Sequence, residues 1–195
     1  MAADARPGRG KSIIAYPDDY VCIDLETTGL SPREDWIIEF AAYKVRNGTV
    51  VDRLVSFVRP GQISKVSSFI TKLTGITKEM VEDAPLPEDI LPELFEFVGE
   101  DMVLGHHTCF DMNFLYDGAI KAGLEPLGND FTDTMRISRK KNKDCIPNHK
   151  LGTLADYLEI DVVTAHRAAA DVVTTIRCYE KMVKERDAVI PVEWA

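Results

Sequence analysis

The sequence predicts an α/β domain that opens as a three-stranded antiparallel meander and continues as helices interleaved with short strands. Three observations predict it. In Tyr20-Val21-Cys22-Ile23-Asp24-Leu25-Glu26, strand geometry puts Val21, Ile23 and Leu25 on one face and Asp24 and Glu26 on the other. Asn47-Gly48 separates two β-rich stretches, and both residues tolerate the positive φ of a tight type I′ hairpin turn. Beyond Ser67, apolar residues recur at helical spacing between short apolar runs.

Taken in order, residues 1–17 are polar, include Gly8 and Gly10, and are expected to be a flexible start. A domain over 18–186 and a short tail over 187–195 follow. After the first strand, Ser31 to Asp35 reads as a polar turn, Trp36 to Arg46 as the second strand, and Thr49 to Val58 as its return, closed by Pro60 and Gly61. Thr77 is placed to cap a short helix with Glu79 in its first turn. Ile90, Leu91, Leu94, Phe95 and Val98 mark a longer helix, in which Pro92 is tolerable only in the first turn. Met102 to Gly105 is a short apolar strand, Thr108 is placed to cap the next helix, and Phe131 to Thr134 is another strand running into a helix. Leu151, Leu154, Ala155 and Leu158 give a short amphipathic helix. Val172, Ile176, Tyr179 and Val183 give the buried face of the last.

The 195 residues suit one domain with a full core, and 45% hydrophobic content fits a globular protein. A net charge of -9 excludes a protein that coats nucleic acid by charge alone. It leaves a nuclease open, because a carboxylate-built metal site is itself a source of negative charge that bound cations reverse locally. No signal-peptide core or long apolar span is present. Cys22, Cys109, Cys145 and Cys178 are scattered, which indicates neither a zinc cluster nor a disulfide framework and makes a reducing cytoplasm the simplest home.

Asp24 and Glu26, side by side on one strand face, repel unless a cation lies between them, and a divalent metal held by hard oxygen ligands is the usual solution. Alone, such a pair is ordinarily a solvated strand end. Asp111 falls with Leu115, Gly118 and Ala122 on one helical stripe, where a charge is costly to desolvate without a partner, although the helix dipole also favours an acid in a first turn. Both readings of Asp111 stand open on the residues alone. Arg136, Arg139, Lys140, Lys141 and Lys143, ahead of Asn148-His149-Lys150, form a basic run whose ordinary role is a solvated loop and whose alternative is phosphate contact. His166 lies in the loop before the last helix, and Asp171 flanks that helix's buried face.

In order, Asp-x-Glu on a first strand, Asp111 on a middle helix, and His166 five places before Asp171 resemble the three motifs of the DEDD exonucleases, in the branch whose last motif carries a histidine. The nearest likeness is to the proofreading exonucleases of bacterial DNA polymerase III, in epsilon-subunit and PolC-type forms. It runs from about Tyr20 to Val183 and includes Leu73-Thr74-Gly75-Ile76-Thr77 and His149-Lys150-Leu151-Gly152-Thr153-Leu154. One departure is His107, which stands where relatives commonly carry asparagine; His106, His107 and His149 are not assigned as metal ligands.

The resemblance implies a ribonuclease H-like α/β fold, a mixed sheet with the antiparallel meander at one side and flanking helices. It implies that Asp24, Glu26, Asp111 and Asp171 hold two divalent ions, Mg²⁺ or Mn²⁺, with His166 as general base. Two such ions roughly 3.5–4 Å apart can clamp the attacking and departing oxygens of a phosphodiester displacement. By the same likeness, Thr27, Thr28 and Gly29 receive the 3′-terminal nucleotide, and Leu30 and Phe110 pack on bases. The implied activity is 3′-to-5′ removal of nucleoside 5′-monophosphates from single-stranded or frayed DNA ends. Two alternatives stand beside it: an exoribonuclease, and a subunit that acts by binding a polymerase. The chain stops soon after its last helix, so a freestanding enzyme or an excised domain is expected rather than a polymerase-tethered subunit with a long tail.

Overall fold

A computed structural model describes residues 6–162 and 167–194. Strands β1 (Asp19–Thr27), β2 (Ile37–Arg46) and β3 (Thr49–Phe57) form the expected meander, and β4 (Val103–Gly105) and β5 (Phe131–Asp133) join the other side of β1 in parallel. The spatial order is β3-β2-β1-β4-β5, a mixed sheet with the meander at one side. At the hairpin, Asn47 and Gly48 take φ of 46° and 78°, the type I′ pattern read from their side chains.

Both sheet faces are covered. On one, α3 (Pro87–Val98) and α4 (Cys109–Lys121) seal Val21, Ile23, Leu25, Phe40 and Ala42 with Leu91, Leu94, Phe114 and Leu115. On the other, α5 (Thr134–Lys141), α6 (Leu151–Tyr157) and α7 (Ala168–Lys184) seal Tyr20, Cys22, Ala41 and Tyr43 with Val172, Ile176 and Tyr179. Each Val, Leu, Ile and Phe among them contributes roughly 1.5–3 kcal/mol by leaving water, and each alanine methyl about 0.8 kcal/mol. Pairing slips between Glu26 and Thr27, where β2 carries one extra residue. The extra residue turns Ile38 into a third cluster with Ile70 of α1 (Ser68–Thr74) and Val81 of α2 (Lys78–Glu82). No helix among the described residues is long and apolar enough to cross a membrane.

Four expectations are corrected. Pro92 lies in the second turn of α3, not the first, because the helix already starts at Pro87. It is tolerated on the solvent face, where water can take the carbonyl that loses its N–H partner. Residues 6–15, expected to be flexible, are laid along β5 and α4. Ile13 N–H donates to the Phe131 carbonyl, Phe131 N–H to the Lys11 carbonyl, and Arg6 clamps Asp117 at 2.6 and 2.9 Å. Thr108 precedes α4 but its hydroxyl donates to the Thr132 carbonyl at 2.8 Å rather than capping the helix. The basic run is largely the α5 helix rather than a loop: Arg136 reaches Ser12, and Lys141 Nζ donates to the Met182 carbonyl at 2.8 Å in the last turn of α7, where a cation suits the helix dipole.

The last segment is likewise tied down. Val50 N–H donates to the Val189 carbonyl and Val189 N–H to the Gly48 carbonyl, both at 2.9 Å.

Candidate active site

β4 pairs with β1 only opposite Val21 and Cys22, so the carboxyl end of β1 projects past its parallel neighbour. Crevices outside the carboxyl ends of parallel strands are where α/β sheets bind ligands. The overhanging Leu25 N–H, having no β4 partner, donates to the Asp111 carboxylate at the start of α4. Asp111 is 3% exposed and sits close enough to Asp24 for their charges to interact.

From the other side of the sheet, the first turn of α7 brings in Asp171. Carboxylate oxygens of Asp24, Glu26 and Asp171 all lie within 4.8 Å of one another. Four acids from three distant stretches of the chain are thus gathered at the end of β1. Among the described residues, no lysine or arginine forms an ion pair with Asp24, Glu26 or Asp111. Burial, then Asp111, Asp171 and Glu26, hold the Asp24 carboxyl well above the usual range. Burial, then Asp171 and Glu39, push Glu26 up to about 7. Burial also raises Asp111, against the hydrogen bonds it accepts from its own N–H and from that of Leu25.

The donor set fits a hard divalent cation. It consists of oxygens alone, converging from three elements, with an excess of negative charge that a 2+ ion would offset. His106 takes no part: its Nε2 lies 3.0 Å from the His149 carbonyl and its Nδ1 2.9 Å from the Thr134 hydroxyl, and burial lowers it to about 4. His149 is likewise engaged, with its Nδ1 2.9 Å from Ser138 Oγ.

Raised carboxyls make a stability prediction for the metal-free protein. Folded Glu26 keeps its proton to about pH 7 whereas the unfolded group loses it near 4.5. The stabilising difference is therefore complete below pH 4.5 and lost as pH rises through 7. Melting temperature in EDTA should fall between pH 5 and 8, and added Mg²⁺ or Mn²⁺ should raise it at pH 8. A metal response equal at pH 5 and pH 8 would contradict this.

Glu39 and Arg167, neither singled out by sequence reasoning, set the geometry. Glu39, 2% exposed, faces Glu26 across β1 and β2. It accepts from the Ala168 N–H at 3.1 Å and from Arg167 Nη2 at 2.7 Å. Glu39 thereby fixes the start of α7 and, one turn on, Asp171. The available signal was an acid inside the apolar run Ile37-Ile38-Glu39-Phe40-Ala41. His166 lies outside the described residues.

Thr27, Thr28, Gly29 and Leu30 form the turn leaving β1. The Thr27 hydroxyl donates to the Gly29 carbonyl at 2.7 Å and Thr28 Oγ1 accepts from Trp36 N–H at 3.0 Å, so both hydroxyls brace the loop. Lys121 Nζ donates to the Pro32 and Asp35 carbonyls at 2.9 and 2.6 Å, tying the loop to α4. Leu30, 85% exposed, is held out at its tip. A Cβ on Gly29 would fall 2.3 Å from Asp35 Oδ2. That carboxylate is held by the Ser31 N–H at 3.0 Å and Lys65 Nζ at 3.1 Å, so Gly29→Ala, which must displace it, should cost about 1–3 kcal/mol. KM for oligonucleotide should rise several-fold if the loop binds substrate, and an unchanged KM would separate the loop from binding. Phe110 is half-buried, with its ring centroid 6.1 Å from that of His107 and 4.8 Å from that of Phe114. His107 occupies the left-handed region at φ 70°, a conformation that asparagine adopts readily. A cavity of about 480 Å³ opens beside Asp171, lined by Lys150, Leu151, Gly152 and Thr153 among others.

A family model described as exonuclease matches residues 21–179. DNA polymerase III PolC-type of Caldanaerobacter subterraneus subsp. tengcongensis is 42% identical over 176 residues, 90% of this chain and 12% of that protein. Its counterpart from Bacillus cereus is 39% identical over 168 residues, 86% of this chain and 12% of that protein. This chain thus spans about an eighth of the length of those relatives. Among solved structures, E. coli Exonuclease I in complex with a dA16 oligonucleotide superposes with a TM-score of 0.72 at 23% identity, over 87% of this chain and 41% of that one. Exonuclease I from Methylocaldum szegediense gives 0.71 at 21%, over 87% and 42%. With the acids gathered at the end of β1 and a family match from 21 to 179, the chain belongs to the DEDD-superfamily exonucleases and resembles their PolC and epsilon forms.

Proposed function

We propose that this chain is a metal-dependent 3′-to-5′ exonuclease acting on single-stranded or frayed DNA ends and releasing nucleoside 5′-monophosphates. The observation that carries the reading is the convergence of Asp24, Glu26 and Asp171 within 4.8 Å, with Asp111 beside Asp24. These four carboxylates would hold two Mg²⁺ or Mn²⁺ ions, which when bound activate water and offset charge on the reacting phosphate. The residues of the chain do the rest. Asp111 and Asp171 would fix the positions of these ligands, because each is anchored in the first turn of a packed helix. The braced loop at Thr27, Thr28 and Gly29 receives the terminal nucleotide, and exposed Leu30 and half-buried Phe110 pack against its base. His166, assigned on sequence alone, takes the proton from the attacking water.

The DNA assignment follows the PolC-type relatives, named as DNA polymerases, and the DNA-bound Exonuclease I structure. Those relatives hold the matching segment inside a protein some eight times longer that is named as a DNA polymerase, which supports a DNA polymerase as partner. An end-labelled DNA oligonucleotide and its RNA counterpart, each incubated with Mg²⁺ and with EDTA, test the proposal. A ladder of shortened DNA that vanishes in EDTA is the expected result. No ladder from folded protein overturns it, and faster shortening of RNA would transfer the assignment to an exoribonuclease. His166→Ala should slow the reaction by roughly a hundredfold to ten-thousandfold.

A further inference from the structure

α7 packs on β1 and β2, and the same face of the outer strand β3 stays partly open. Arg53, Val55 and Phe57 lie on it, opposite Tyr43, Ala41 and Glu39. Between that face and α7 runs a groove of about 290 Å³, floored by Ala169, Ala170 and Val173 and flanked by Arg53, Arg177 and Trp194. It reaches the site through Arg167, which lines it, is bound to Glu39 and lies close enough to Glu26 for their charges to interact, whereas Asp171 lines the separate cavity beside α6. By helix rise, Arg177 lies about 10 Å along the axis from Ala170.

The groove's charge is unusual for a chain of net charge -9. Arg53 sits over the Trp194 ring at 5.4 Å, and Trp194 is fixed in turn by the Tyr43 hydroxyl at 3.3 Å from its carbonyl. Among the described residues, neither Arg53 nor Arg177 has a carboxylate within ion-pair distance. Glu193 lines the same groove, and Asp161 and Asp187 border a neighbouring depression that Arg177 also lines. Two guanidinium groups, neither paired with a carboxylate among the described residues, in a groove that reaches towards the site through Arg167, suit the phosphates of an extended strand.

We propose that this groove binds the single-stranded nucleic acid running back from the end being cleaved, with Arg53 and Arg177 each contacting a phosphate. The inference rests on the exonuclease reading for the direction of the strand. Binding of fluorescein-labelled dT2, too short to reach both arginines from the site, and dT16 to the full chain in EDTA, across a salt series, tests it in wild type, Arg53→Gln/Arg177→Gln and Arg53→Glu/Arg177→Glu. The dT16 salt slope should fall by about 0.7 for each phosphate that is no longer neutralised, and the preference for dT16 over dT2 should shrink in both variants. An unchanged slope, or an equal loss of affinity on both lengths, overturns the proposal. So does saturable binding of a polyglutamate peptide that the variants abolish while DNA binding stays as in wild type, which would give the groove to an acidic polypeptide. If wild type shortens no oligonucleotide in Mg²⁺, the exonuclease reading fails, and the binding series still decides whether the groove holds DNA.

Discussion

Asp24→Asn is expected to slow oligonucleotide shortening by about a thousandfold, the equivalent of some 4 kcal/mol of lost charge stabilisation. The same substitution should raise the melting temperature of the metal-free protein at pH 8. Both effects have one cause. Asp24 stands among Asp111, Asp171 and Glu26, and burial together with these neighbours makes its ionised form costly. Asparagine keeps the shape of the side chain and removes the charge, which relieves the repulsion and withdraws a metal ligand. Rates in Mg²⁺ and melting curves in EDTA check the two halves separately. A variant within tenfold of wild-type rate would remove Asp24 from catalysis. A variant less stable than wild type at pH 8 in EDTA would show that the carboxylates are not in conflict.

Glu39→Ala should lower stability by about 2–4 kcal/mol and kcat by roughly a hundredfold, although Glu39 is assigned no metal. Alanine takes away the acceptor for the Ala168 N–H and the partner of Arg167. The start of α7 is then free to shift, and Asp171 moves with it. Glu39→Gln keeps an oxygen for the Ala168 N–H and should recover most of the stability. A charge-only role predicts something else: since Glu39 raises Glu26, losing it would move the acid limb of the pH–rate profile down and leave kcat at its plateau unchanged. Chemical denaturation and a pH–rate profile of both variants distinguish positioning from repulsion.

What was legible in the sequence was local. Alternation around Asp24, the Asn47-Gly48 turn and the apolar stripes of α3 and α7 each depend on neighbours a few residues away, and the structure reproduces them. Periodicity put Asp24 and Glu26 on one strand face and Asp111 on a helical stripe without deciding their role; that the three belong together with Asp171 was legible only from the order of motifs shared with the DEDD exonucleases. Glu39 was not, because its meaning lies in a bond to Arg167, 128 residues distant. Arg6 and Lys141 were missed for the same reason: a polar side chain looks solvated until the carbonyl or carboxylate that receives it is known. Pro92 shows the converse, a local rule overridden because the helix face it occupies looks to water.

The two terminal segments have a consequence for behaviour at high concentration. Residues near Ser12 bridge to β5 and Val189 bridges to the start of β3, so each outer strand already has a backbone neighbour along part of its length. Strand edges left bare recruit other molecules into fibrous stacks. Trimming either segment should therefore show first as turbidity on storage or gentle warming.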